Sequence, residues 1–459
     1  MVFFGACVTE NCPALVLCLC AMDGLTTDIT TPKAATKKHK IPGYFGVLTA
    51  LALLAGWAVY RLTLPETRHS KFGNLFHWPI DFRVYYRAGE ALQQGDQLYA
   101  HGFVGALPFT YPPFAGALFR GLAFASEHTM AVAWQVASLL VLLLVIIAVL
   151  RERGYRMSPG LVVIAIVGLV ASFNLSPVFG TIFFGQINIF LMGLVALDFL
   201  RGGRARGRGI FTGIAAGIKL TPIFFALAFF VERRWRAIVA VLATFAVTVG
   251  IGFWGVPDAG VFWTEKVLET NRIGEHANPG AQSLQSILLR MDIAHAKPLW
   301  AFGSLLIVVA FCIAARGAIR RGNLSLVMAL GGVTAALISP FSWFHHWVYL
   351  VPLFFVLLDA TLRPLQHLAK RISVRGRAGR GAAILVEQCG GFLAVAFWSV
   401  VFLPYASAVS YFPTSFHAQR LAVDNPWLRG MFVWAGIALV VGCAAYYLAA
   451  GLGRRGRNR

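Results

Sequence analysis

Apolar runs close to the length of a bilayer crossing recur along almost the whole of this chain. A helix rises 1.5 Å per residue, so about 20 apolar residues cross the roughly 30 Å hydrocarbon core. Segments of this kind fold in lipid as helices, because backbone N–H and C=O groups find no water there and must pair within their own segment. Full spans are predicted near 43–64, 130–150, 160–174, 177–200, 237–254, 298–315, 324–338, 347–358, 383–404 and 431–452. Two further apolar pieces are irregular: 111–125 is short, and 210–231 is interrupted by Lys219 and Pro222. The expected fold class is therefore all-α, a polytopic helical membrane protein with about 10 full spans plus short re-entrant or broken helices, about 12 membrane helices in all. One membrane domain over 43–452 takes up the length, with a disordered tail at 1–42 and a basic tail at 453–459. Composition agrees, since 13% of residues are charged where a soluble domain carries about 25%.

A net charge of +21 raises the question of a nucleic-acid partner. Its distribution argues against one. The basic residues form short clusters between apolar runs, at 33–40, 151–156, 201–208, 233–236, 316–321, 363–380 and 454–459. Short basic loops beside spans mark the cytoplasmic side and contact anionic lipid. Cys7, Cys12, Cys18 and Cys20 crowd the first twenty residues, but their spacing matches no zinc pattern and no metal is expected. The apolar stretch 1–21 lacks a basic n-region and makes a poor signal peptide, which leaves Met22 as a candidate start.

The clusters also decide the broken segment. Those at 201–208 and 232–236 flank 210–231, and a single span would put one of them outside. A re-entrant hairpin broken at Lys219-Leu220-Thr221-Pro222 keeps both inside, and proline suits the break because it removes a backbone donor. The topology then closes with both termini inside. The polar segments 65–109 and 257–297 fall outside, as do 339–346 and 406–429. Polar chemistry is expected on that outer face.

There, Asp81 precedes a predicted amphipathic helix with Phe82, Tyr85, Tyr86, Gly89 and Leu92 on one face and Arg83, Arg87, Glu90 and Gln94 opposite. Such a helix suits the headgroup layer. Asp81 at its N-cap either caps it or serves as a general base. Tyr111-Pro112-Pro113 marks a turn into a helix start. Gln186 and Asn188 place two amides within a span, where they glue helices or line a cavity. Lys219 at membrane depth is a functional residue or a snorkelling one. In Ser342-Trp343-Phe344-His345-His346-Trp347, neighbouring side chains on a helix diverge by about 100°, so one histidine can face a polar cavity while the other is structural.

Taken in order, Asp81-Phe82-Arg83-Val84-Tyr85-Tyr86-Arg87-Ala88, Tyr111-Pro112-Pro113, Gly185-Gln186-Ile187-Asn188, Ile218-Lys219-Leu220-Thr221-Pro222 and Ser342-Trp343-Phe344-His345-His346 resemble glycosyltransferase family 87 of the C-type superfamily. The likeness is nearest to its mycobacterial branch, the α-1,2-mannosyltransferases of phosphatidylinositol mannoside synthesis. One departure is Ala281 before Gln282-Ser283-Leu284, where the family often has Asn. The resemblance implies a C-type fold in the plasma membrane with its active site on the extracytoplasmic side. It implies a polyprenyl-phosphate mannose donor, a glycolipid acceptor and no cofactor. Asp81 and His345 are the implied catalytic residues. Arg83, Tyr85, Tyr86, Tyr111, Gln186, Asn188, Lys219, Gln282, Ser283, Trp343 and His346 are the implied substrate-binding set. Competing expectations are an arabinofuranosyltransferase using a related donor and a lipid-linked sugar transporter; the latter predicts paired broken helices, and one clear break is visible.

Overall fold

The computed structural model describes residues 40–64, 69–70, 73–201, 207–269, 272–374, 376–407 and 426–457. Outside them lie Cys7, Cys12, Cys18, Cys20 and Met22, nearly all of the expected N-terminal tail, and most of the expected outer loop 406–429. Helices of seven residues or more are α1 (Tyr44–Thr63), α2 (Ile80–Gln93), α3 (Pro113–Phe119), α4 (Glu127–Glu152), α5 (Pro159–Ala171), α6 (Ser176–Phe184), α7 (Asn188–Leu200), α8 (Ile210–Ile218) and α9 (Phe225–Val231). They continue as α10 (Trp235–Gly255), α11 (Leu284–Arg290), α12 (Ala296–Arg320), α13 (Leu324–Ile338), α14 (Leu350–Ser373), α15 (Gly376–Val401) and α16 (Met431–Arg457). Ser126, Ser158 and Asn323 cap α4, α5 and α13 by accepting a backbone N–H of the first turn, each worth about 1 kcal/mol.

Among the described residues, six helices are long and apolar enough to cross a membrane, or seven if the bent pair Pro159–Asn174 and Ser176–Phe184 is one span: the six are α1, α4, α10, α12, α15 and the stretch Met431–Gly451 of α16. Between 22 and 44% of each is buried in protein, so most of their surface faces outward. By contrast α13 is buried along 325–337, which fits a helix apolar on every side. Two features separate these six helices from the ten full spans read from the sequence. Central helices such as α7 and α13 are short, at 13 and 15 residues. The run 177–200 is two helices, because Gly185 ends α6 in the left-handed conformation (φ 70°). A Cβ there would also lie 2.6 Å from Phe82 Cβ. Before it, the chain bends 87° between Pro159–Asn174 and Ser176–Phe184.

Charged groups sort to two ends. At one, Arg153 and Arg363 both reach Asp359, joining the basic clusters of α4 and α14. Glu152 accepts from Leu324 N, and Arg321 stacks on Tyr447, which brings the start of α13 and α16 to the same end. Arg208 pairs with Glu232 through both guanidinium nitrogens, at 2.9 and 3.1 Å, so the two ends of 210–231 meet as the hairpin reading requires. At the other end the long polar segments join. Asp258 accepts from Leu98 N and Tyr99 N, and Gln282 N donates to Ser342 O.

The amphipathic helix α2 forms with the predicted faces, but its apolar face docks on protein instead of lipid. Gly89 permits this contact, since a Cβ would stand 2.1 Å from the Phe119 carbonyl oxygen.

Candidate active site

Pro79, not Asp81, is the N-cap of α2, and no side chain caps that helix. Asp81 lies within the first turn, where a helix N-terminus favours a carboxylate. The capping expectation is thereby corrected: the side chain turns to Gln186, whose Nε2 donates to Asp81 Oδ2 at 2.5 Å. The Gln186 oxygen accepts from the hydroxyls of Tyr111 at 3.1 Å and Tyr85 at 3.3 Å, which fixes which end of the amide faces Asp81. Tyr85 and Tyr111 hydroxyls are 2.8 Å apart. Asp81 Oδ1 takes no hydrogen bond from any described residue, and Asp81 itself is half-buried. Burial pushes its carboxyl up to about 6, against the opposing pull of the Gln186 amide and the Lys219 charge. A base with such a value stays ionised at neutral pH and holds a proton better than an ordinary aspartate.

Lys219 stands at the hairpin break in extended backbone (φ −149°, ψ 130°), just after α8 ends. Its side chain lines a cavity closed in by protein, the setting in which non-helical backbone is tolerated among membrane helices. Lys219 Nζ donates to Asn188 Oδ1 at 3.0 Å, lies 3.0 Å from His346 Nε2, and sits 5.4 Å above the Tyr111 ring. His346 Nδ1 accepts from Trp343 N at 3.2 Å and lies equally far from Ser342 Oγ. A backbone N–H can only donate, so the neutral ring carries its proton on Nε2, facing the lysine; this tautomer is assigned from the hydrogen bonds. Two donors then face each other with no acceptor between them. An anion placed beside both would satisfy them. Lys219, His346 and Asn188 line a small cavity of about 40 Å³ whose remaining walls are mainly apolar, among them Leu191, Pro222 and Phe225.

His345 occupies a different position. Its ring is stacked on Trp343, its edges meet Phe184 and Phe344, and neither ring nitrogen has a hydrogen-bond partner. Its carbonyl accepts from Thr181 Oγ1 and Asn188 Nδ2, which pins the histidine turn to α6 and α7. Ring centroids of His345 and His346 are 5.0 Å apart, so the unsatisfied ring borders the same place.

The structure thus brings Asp81, Tyr85, Tyr111, Gln186, Asn188, Lys219, His345 and His346 together. Of the others in the expected set, Trp343 touches both histidines, while Arg83, Tyr86, Gln282 and Ser283 make their hydrogen bonds elsewhere. Arg83 pairs with Glu127 at 2.6 Å and stacks on Trp78, while Tyr86 donates to the Ala125 carbonyl. Gln282 Nε2 donates to the carbonyls of Pro279 and Arg429, and Ser283 caps α11. Trp343 Nε1 donates to Ile273 O, and its backbone bridges to the family departure, Ala281. These side chains hold the outer loops against the histidine turn. Thr181 was not foreseen, since nothing in its local pattern marks it, and Ser342 was read only as part of the histidine motif.

A bundle of membrane helices that assembles a half-open carboxylate and a cationic pocket at one end is the framework of a polytopic membrane transferase. A sequence profile of glycosyltransferase family 87 matches residues 109–340. The polyprenol-phosphate-mannose-dependent alpha-(1-2)-phosphatidylinositol mannoside mannosyltransferase of Mycobacterium tuberculosis is 30% identical over 409 residues, covering 84% of this chain and 88% of its own. The corresponding phosphatidylinositol pentamannoside mannosyltransferase of Mycolicibacterium smegmatis is 30% identical over 378 residues, 80% of this chain and 83% of its own. No solved structure matches the chain significantly. On this likeness the chain belongs to glycosyltransferase family 87.

Proposed function

We propose that this enzyme moves mannose from polyprenyl phosphate mannose to a phosphatidylinositol mannoside, with inversion to an α-1,2 linkage, at the extracytoplasmic face of the plasma membrane. The observation that carries the reading is the hydrogen-bonded path from Asp81 through Gln186 to Tyr111, over whose ring Lys219 is held beside His346. One end of this arrangement can take a proton and the other can hold an anion.

In the proposed reaction an acceptor mannose hydroxyl lies against the open oxygen of Asp81, which takes its proton as the hydroxyl oxygen attacks the anomeric carbon. The bond from that carbon to the phosphate oxygen breaks, and polyprenyl phosphate leaves with the electron pair. Its charge falls to the Lys219 ammonium and the His346 Nε2–H, with the unpartnered His345 ring alongside. Fixed donors of this kind cost no reorganisation during the reaction. The apolar walls beyond Lys219 suit the first carbons of the lipid tail. Cationic side chains carry the charge stabilisation, so the scheme uses no cofactor.

The test is an assay of purified protein in detergent or nanodiscs. Polyprenyl phosphate mannose, polyprenyl phosphate arabinose and a nucleotide-linked mannose are each offered with phosphatidylinositol mannosides as acceptors. Transfer from the first alone, giving an α-1,2 product by NMR, is expected. Transfer from arabinose or from the nucleotide sugar would overturn the donor assignment.

A further inference from the structure

We infer that the ion pair between Arg208 and Glu232, with Asp198, is a positioning element that sets how far Lys219 reaches into the site; the inference rests on the role proposed for Lys219. The two antiparallel helices α7 and α8 are pinned to each other at both ends. At the far end from the site, Asp198 Oδ2 accepts from Thr212 N at 2.7 Å and from Thr212 Oγ1 at 2.8 Å. Arg208 Nε donates to the Asp198 carbonyl at 2.9 Å, and its other nitrogens take Glu232. At the site end, Asn188 on the first turn of α7 accepts from Lys219.

The lengths agree. Asn188 to Asp198 is ten residues, about 15 Å of helix, while Thr212 to Lys219 is seven, about 10 Å. The four-carbon lysine stem makes up the difference. Sliding α8 against α7 would therefore withdraw the ammonium from Asn188 and His346. The second limb of the hairpin is fixed by the same pair, because Glu232 directly follows α9. Arg208 and Glu232 side chains are only 5% and 8% exposed, so solvent screens the pair little. Phe199 and Phe229, 5.9 and 5.4 Å from the guanidinium carbon, flank it. None of Asp198, Arg208 and Glu232 touches the cluster around Lys219; they act through the helices.

The experiment measures steady-state kinetics with donor and acceptor varied separately, together with the unfolding temperature. Thr212→Val removes one hydroxyl contact and keeps the shape; Glu232→Gln removes the pair; Arg208→Glu with Glu232→Arg reverses it. A positioning role predicts donor KM raised about three-fold in Thr212→Val and ten-fold or more in Glu232→Gln. Acceptor KM should be unchanged, and the reversed pair should regain part of the loss. Thr212→Val keeps the test informative if Glu232→Gln does not fold. Equal changes in both KM values and kcat, following the loss of unfolding temperature, would show a merely structural clasp and overturn the inference. So would unchanged kinetics in all three variants while Lys219→Met is inactive. Full activity of Lys219→Met would instead overturn the role of Lys219 and this inference with it.

Discussion

Two aspartates at opposite ends of the helices, Asp359 buried and Asp81 half-buried, differ in how their oxygens are used. Asp359 is saturated: Tyr155 and Arg363 occupy Oδ1, and Arg153 and Arg363 occupy Oδ2, all within 3.0 Å. Asp81 has one amide on one oxygen, and its cation, Lys219, is engaged elsewhere. A carboxylate enclosed by two guanidiniums and a phenol has no room for a new proton donor; it ties helices together. A carboxylate with an open oxygen and a raised affinity for protons can do chemistry. Burial alone therefore does not mark the reactive acid in this fold; an unfilled coordination does.

The sharpest way to break the comparison is to neutralise both. Asp81→Asn should fold normally and lose transfer by about 10²- to 10⁴-fold, as expected when a general base is removed. Asp359→Asn should do the reverse, since it leaves the partly buried guanidiniums of Arg153 and Arg363 short of their counter-charge, at a cost of about 1–3 kcal/mol. Apparent unfolding temperature and kcat per folded molecule, measured on both, decide it. Equal loss of stability in the two variants would make Asp81 another helix tie.

Next in size is Lys219→Met, expected to lower kcat/KM for the polyprenyl phosphate donor by about 10²- to 10³-fold, the usual loss for a charge-stabilising group. His346→Ala should follow it, with donor KM rising in parallel, because the two share one anion position. A donor KM unchanged in both variants would remove the phosphate from this pocket.

The pH profile is a smaller effect with a definite sign. A base works in its ionised form, and burial has raised Asp81 to about 6. The rate constant kcat/KM should then be level at neutral pH and fall about ten-fold per pH unit below about 6. A level profile down to pH 4 would contradict the burial of the carboxyl. Smallest of all, Arg83→Gln breaks a partly exposed pair with Glu127, worth about 0.2–1 kcal/mol. It should leave kcat/KM within a few-fold, and a loss as large as that of Lys219→Met would place Arg83 in contact with substrate.

Much of the site was legible in the sequence because its members break local rules. An acid beside an apolar helix face, two amides and a lysine within apolar runs, and a histidine pair between tryptophans all cost free energy without compensation. The hairpin was legible from charge alone, since two basic clusters had to share a side. What was not legible is tertiary. Arg83 and Tyr86 belong to the same motif as Asp81, yet the turn of the helix sends them to Glu127 and the Ala125 carbonyl. The position of His346 against Lys219 depends on a 3-10 turn at Phe344–His346, where the sequence pattern indicated the start of a span. The ten full spans read from the sequence are not all matched by helices of crossing length, for a similar reason. Apolar runs report burial, and the buried helices α7 and α13 lie among other helices, where length need not match the bilayer.

The most direct test separates binding from chemistry at Asp81. Equilibrium affinity for polyprenyl phosphate mannose is measured for the wild type, Asp81→Asn and Lys219→Met, alongside single-turnover transfer to acceptor. Asp81→Asn is expected to bind donor with near wild-type affinity and to transfer about 10²- to 10⁴-fold more slowly, whereas Lys219→Met loses the affinity itself. Transfer by Asp81→Asn at a near wild-type rate, or full donor affinity in Lys219→Met, would contradict this division of roles.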